Sequence, residues 1–133
     1  MATQEDSVGI VLFAHGSRVE EANQGVRDLA RQVRESGPYA FVREAFLELG
    51  EPDLGSALAE ACKAQVRRVI IIPYFLTLGI HLRRDLPKLI EMHKNKLPGL
   101  EVEVGPPLEG HPEMPSIILG RVRKALAEFK GTP

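Results

Sequence analysis

The sequence predicts an α/β domain: one four-stranded parallel sheet with strand order 2-1-3-4 and helices on both faces. Three observations predict it. Two short apolar runs, residues 7–14 (SVGIVLFA) and 68–75 (RVIIIPYF), have the look of strands buried on both faces. Two other strand-like segments carry charges or alternate strictly, as partly exposed strands do. Each of the four is followed by residues at helical spacing, which gives β-α four times over. The apolar pair belongs in the middle and the polar pair at the edges, and right-handed crossovers then favour the order 2-1-3-4.

The elements follow in order. After the first strand, His15-Gly16-Ser17 breaks the run, and Ser17 is the expected N-cap of a helix over residues 19–34. That helix shows Val19, Ala22, Val26, Leu29, Ala30 and Val33 on one stripe, and Gly37-Pro38 ends it. A second strand covers residues 40–47, with Arg43 and Glu44 inside it. Pro52-Asp53 opens a helix to about residue 65 that carries Leu54, Leu58, Ala61 and Cys62. In the third strand Pro73 marks where pairing should stop, because it has no N–H to donate. Residues 76–80, with Gly79, read as a loop, and Asp85 is the expected cap of a helix running to about Lys94. Residues 100–104 (LEVEV) form the half-exposed fourth strand. Gly105-Pro106-Pro107 breaks the chain, and Ile118, Val122, Ala125 and Phe129 mark a last helix.

The 133 residues suit one domain, 1–133, with residues 1–6 and 130–133 as flexible ends. Apolar residues make up 44% and charged residues 26%, enough core to fold without a disulfide or structural metal. Cys62 is the one cysteine, so an internal disulfide is impossible and a reducing compartment is expected. The net charge of −1 and the lack of a basic run argue against nucleic acid as a partner. No apolar run approaches the ~20 residues that cross a bilayer, and the acidic start is unlike a secretory signal. The expectation is a cytoplasmic protein with no membrane partner.

In an open parallel sheet the ligand crevice lies beyond the carboxyl ends of the strands, where the winding direction reverses. For this order that point falls between strands one and three. His15 follows strand one directly and His81 lies in or just after the loop leaving strand three, while neighbouring strands are ~4.8 Å apart. Glu48 follows strand two and His111 follows strand four on the same edge; His93, late in a helix, is expected to be solvated. Imidazole binds first-row metals, a carboxylate adds a harder ligand, and an incomplete ligand set lets a metal leave again. A histidine near neutrality also accepts protons.

Blander roles compete with these. His-Gly-Ser can simply end a strand and cap a helix, Glu48 can be a surface carboxylate, and His111 can shape a loop before Pro112. From the residues alone, His15 and His81 stay open between ligand, base and turn residue. Arg18, Arg83 and Arg84 beside them are either solvated helix-start residues or contacts for an anionic substrate. Asp85, four residues after His81, can orient an imidazole, although capping is its simpler role.

At these residues the sequence resembles the class II chelatases of tetrapyrrole synthesis, in particular the short CbiX-type sirohydrochlorin cobaltochelatases. The matching pieces are LFAHGSR (12–18), FLELGEPDL (46–54), IIIPYFLTLGIHLRRDLP (70–87) and, more loosely, GPPLEGHP (105–112). The resemblance implies that His15 and His81 bind the metal and accept pyrrole protons, with Glu48 a third participant. It implies sirohydrochlorin, an octacarboxylate macrocycle, as substrate, Co²⁺ as the metal with Fe²⁺ or Ni²⁺ as alternatives, and no organic cofactor. It also implies a homodimer, because larger members carry two such domains around one cleft. A non-catalytic metal or tetrapyrrole carrier is the competing class. Phosphoryl transfer through His15 ranks last, since Ala14 stands where an arginine would precede the histidine and no glycine-rich phosphate loop is present.

Overall fold

Strand and helix alternate as the patterning requires: β1 (Val8–Ala14), α1 (Glu20–Ser36), β2 (Phe41–Phe46), α2 (Leu54–Lys63), β3 (Arg68–Pro73), α3 (Ile80–Asn95), β4 (Glu101–Val104) and α4 (Met114–Glu128). The computed structural model describes residues 8–129, with His81 described by its backbone alone. The ends expected to be flexible, 1–6 and 130–133, lie outside the described residues. All strands are parallel and run in the order β2-β1-β3-β4. β1 pairs with β2 as far as Ala14↔Phe46 and with β3 as far as Phe13↔Pro73, so pairing with β3 stops at the proline.

The two faces are covered unequally. Helices α2 and α3 close over Val11, Phe13, Ala45, Val69, Ile71 and Val102, all buried. On the opposite face α1 lays Val26, Leu29 and Ala30 over Leu12 and Val42, covering β1 and β2. The expectation that β3 is buried on both faces is therefore corrected: burial alternates along it, with Val69, Ile71 and Pro73 enclosed and Ile70 and Ile72 half-exposed. The reason is tertiary. Among the described residues α4 buries no side chain, and on the α1 side Ile72 is only partly buried against the cluster beneath α1.

Two helix starts and one histidine also differ from expectation. Ser17 does not cap α1; its Oγ accepts the Val19 N–H at 3.0 Å, and extended Val19 precedes the first helical residue, Glu20. Asp85 does not cap α3, which starts five residues earlier behind Gly79 and runs through Pro87. The proline forgoes one helical hydrogen bond there but does not end the helix, since burial of Leu86 and Ile90 against α2 and the sheet outweighs that loss. α4 begins at Met114, four residues before the apolar stripe that marked it. His93 is half-buried rather than solvated: its ring lies over Gly55 so closely that a Cβ there would sit 2.9 Å from Cε1. Among the described residues no helix is long and apolar enough to cross a membrane.

Helix α2 starts as expected. The Asp53 carboxylate accepts the Ser56 N–H at 2.8 Å, satisfying one of the unpaired donors at the helix start. That backbone bond, with a second from the Ser56 side chain, holds the Asp53 carboxyl below its ordinary value of 3.8. A carboxyl depressed in the folded state stabilises fully above its unfolded value and loses that contribution as pH falls through the folded value. Asp53→Ala should therefore cost about 1 kcal/mol at pH 7, while Asp53→Asn should cost much less. The Ala penalty should shrink at pH 3, measured by urea unfolding of all three proteins. A penalty that is the same at both pH values would rule out a charged cap.

Candidate metal-handling site

Two loops leave the carboxyl ends of β1 and β2 and are zipped together. The Leu47 N–H donates to the Ala14 carbonyl at 2.8 Å and the Glu48 N–H to the His15 carbonyl at 3.0 Å. Gly16 stands at φ +94, and a Cβ there would lie 1.6 Å from the Glu48 carbonyl oxygen, so only glycine permits this approach. Asn23, on the first turn of α1 and 1% exposed, closes the arrangement. Its Oδ1 accepts the Ser17 N–H at 2.9 Å, and its Nδ2 donates to the carbonyls of Ser17 at 2.9 Å and Leu49 at 2.8 Å. Leu49 itself has φ 58, a left-handed conformation unusual for a leucine, held in part by that bond.

The zipper brings His15 and Glu48 face to face. His15 Nε2 lies 3.8 Å from Glu48 Oε1, with 55% and 59% of the two side chains exposed. At that exposure the pair adds little to stability, but both groups are open to a ligand. His15 Nδ1–H donates to the Gly16 carbonyl at 3.2 Å, and a carbonyl can only accept. With Nδ1 turned to that carbonyl, Nε2 faces Glu48 on the exposed side of the loop, where a ligand can reach both groups.

Beside the pair opens a cavity of about 380 Å³ lined by His15, Leu47, Leu82, Asp85, Leu86 and Leu89. Three of the leucines follow the i, i+4, i+7 stripe of α3, so that helix supplies an apolar wall while the β1–α1 and β2–α2 loops supply the polar rim. His81 is the second residue of α3, immediately before wall residue Leu82 and one turn before Asp85. Its side chain lies outside the described residues. Among those described, no three His, Cys, Asp or Glu side chains converge on one metal position.

The CbiX family model matches residues 9–125. The chain belongs to the CbiX family. It is 30% identical to a sirohydrochlorin cobaltochelatase of Methanopyrus kandleri, over 91% of this chain and 99% of that one. It is 28% identical to the chloroplastic sirohydrochlorin ferrochelatase of Arabidopsis thaliana, over 95% of this chain but only 56% of the relative, so it spans little more than half of that protein. A crystal structure of a CbiX protein from Marinobacter aquaeolei VT8 superposes with a TM-score of 0.81 at 29% identity, covering 91% of this chain and 98% of that one.

In this CbiX-family chain the remaining candidates fall into two groups. Arg18 is exposed on the β1–α1 loop, and Arg84 pairs with Asp85 at 3.4 Å on the first turns of α3, both at the crevice edge. Arg83 is committed elsewhere: it binds Glu109 at 2.5 Å and the Leu78 carbonyl at 2.9 Å, tying the β3–α3 loop to the β4–α4 loop. His111 is a turn residue whose Nδ1 accepts the Glu113 N–H at 3.0 Å, and it does not line the cavity with His15. Two features escaped the sequence. The leucine wall has the same spacing as a core stripe, and the one signal for Asn23 is a weak helix former in the first turn of an otherwise periodic helix.

Removing the Asn23 carboxamide breaks three part-buried hydrogen bonds at once, each worth about 0.5–1.5 kcal/mol net. Asn23→Ala should therefore lower unfolding stability by at least about 2 kcal/mol, with Asn23→Asp also destabilised because a carboxylate cannot donate to the two carbonyls. Thermal and urea unfolding check this; a loss under about 0.5 kcal/mol, typical of surface positions, would mean the amide does not hold the loops.

Proposed function

We propose that this protein inserts a divalent metal ion, Co²⁺ by preference, into sirohydrochlorin. The observation that carries the reading is the exposed His15–Glu48 pair at the mouth of an apolar cavity in the crevice beyond β1. Membership of a family whose relatives are named sirohydrochlorin cobaltochelatase and ferrochelatase supplies the substrate class.

The chemistry asks three things of such a site. A flat macrocycle needs an apolar wall, which Leu82, Leu86 and Leu89 supply. Its carboxylates need positive charge, which Arg18, Arg84 and the N-terminus of α3 supply at the rim, while Arg83 is held by Glu109. The exchange itself takes up M²⁺ and releases two pyrrole protons. His15 and His81 hold the ion weakly through imidazole, and His15 Nε2 and the Glu48 carboxylate are bases within reach of the departing protons. Few protein ligands suit this task, because a saturated site would keep the metal. The metal is thus a substrate, and no organic cofactor is invoked.

The active unit is a homodimer, each copy contributing half of one cleft; the supporting observation is the uncovered apolar surface of α4.

Following sirohydrochlorin absorbance with Co²⁺, Fe²⁺ and Ni²⁺ at controlled free metal tests the reading. The expected result is turnover fastest with Co²⁺, reduced at least about 100-fold (the scale of general acid–base catalysis) in His15→Ala and in His81→Ala. Glu48→Gln should lose less. Stoichiometric binding without turnover would make the protein a carrier, and full activity in both histidine variants would reject the assignment.

A further inference from the structure

We propose that Glu109 is a positioning residue for the metal-handling turn: through Leu78 and Arg83 it fixes the start of α3, and with it the place from which His81 meets the metal. This rests on the chelatase reading above and names what holds the second half of the same site.

The two halves are built differently. His15 and Glu48 stand on loops zipped to each other and braced by buried Asn23. The loop that leads to His81 makes its last bond in register with the sheet from the Tyr74 N–H to the Phe13 carbonyl, at 2.7 Å. Beyond that bond Leu76 and Ile80 are 67% and 79% exposed, so burial does not hold the chain there. α3 then starts behind Gly79 with no side-chain cap, although a helix start leaves its first N–H groups unpaired. A turn with so little burial and no cap opens readily. His81 is its second residue.

Glu109 supplies what the turn lacks. One carboxylate oxygen accepts from Arg83 Nη2 at 2.5 Å and the other accepts the Leu78 N–H at a longer 3.5 Å. Arg83 Nε donates in turn to the Leu78 carbonyl at 2.9 Å, and the Arg83 N–H donates to the Gly79 carbonyl at 3.0 Å. These contacts close a ring from Glu109 to Leu78 to Arg83 and back. Its two anchors bracket His81 in the sequence, and both main-chain groups of Leu78 are engaged. Arginine suits the link, because its planar fork serves a carboxylate and a carbonyl at once.

The carboxylate is itself held. Its loop leaves β4 at Gly105, whose N–H donates to the Ile71 carbonyl of β3 at 2.8 Å, and turns where the His111 N–H donates to the Leu108 carbonyl at 3.0 Å. Gly110, at φ +77, permits that turn directly after Glu109. Charge points to the same role. A carboxylate at the rim of a site for an anionic macrocycle repels its substrate unless its charge is already spent. The Glu109 side chain is 30% exposed and its charge goes to Arg83. At that exposure the pair adds little to global stability. Its contribution is local, setting how much of the time the His81 turn is in place.

The test uses the full chain, first with Co²⁺ alone. Glu109→Ala should speed amide hydrogen exchange across residues 78–83 and raise the Co²⁺ Kd about 10-fold, the lower end of what losing a ligand's support costs. Glu109→Gln, which keeps one acceptor, should fall between. The effect of Glu109→Ala should persist in a Glu48→Gln background and vanish in a His81→Ala background, read on the Kd and on the residual rate; a merely structural role would act alike in both. With sirohydrochlorin added, Glu109→Ala should raise the KM for Co²⁺ by the same factor and leave the KM for the macrocycle as it was. Unchanged exchange across 78–83 overturns the clamp. Faster exchange with an effect that survives His81→Ala overturns its action through the histidine. A lower macrocycle KM at unchanged Co²⁺ Kd would make Arg83 a substrate contact masked by Glu109, and overturns the positioning role. His81→Ala with wild-type Co²⁺ affinity and full activity overturns the assignment of His81 itself, and this proposal with it.

Discussion

The candidate site depends on one buried carboxamide. Asn23 satisfies three main-chain groups in two loops that have no regular partner, and does so from a helix already anchored on the sheet. Backbone polar groups outside regular structure need partners, and a loop that finds none opens more readily. The amide therefore decides where the β1–α1 and β2–α2 loops run. Gly16 makes the same decision from the other side, since any Cβ would push the Glu48 carbonyl away. The reactive groups themselves contribute little to stability. Rigid support lies beneath, and His15 and Glu48 stand exposed above it.

That division of labour suits a substrate that must arrive, react and leave with its metal. The apolar wall comes from α3, a helix held by Leu86 and Ile90 in the larger core, so its position is set by burial and does not depend on the ligand. The polar rim comes from loops. Arg83 joins the two remaining loops through Glu109, and this takes one cation out of the reckoning for substrate charge while stiffening the far side of the crevice. The β4–α4 loop is thereby coupled to the start of α3, the turn that carries His81.

The unequal cover of the sheet has the same origin as the site. Winding reverses between β1 and β3, which opens a crevice at the carboxyl edge and also places α1 on one face and α2 and α3 on the other. One face is complete within the chain. On the other, α1 covers β1 and β2 and leaves Ile70 and Ile72 of β3 half-buried.

Local pattern determined a good deal of this protein. Apolar runs, alternation and period-3.6 spacing marked the eight elements, the contrast between apolar and charged strands ordered the sheet, and that order put His15 and Glu48 on one edge. Each follows from information that neighbouring residues carry themselves. The starts of α1 and α3 differ from expectation because capping side chains are only one of several ways to begin a helix, and here extended backbone at Val19 and Gly79 serves. Only the tertiary structure decided that Asn23 is a buried brace, that three leucines of α3 line a cavity as well as a core, that Arg83 is spent on Glu109 and that β3 is fully covered on one face alone. Those facts depend on which segments distant in sequence meet, and a side chain's role is set by the groups that surround it after the chain has closed, which no periodicity records.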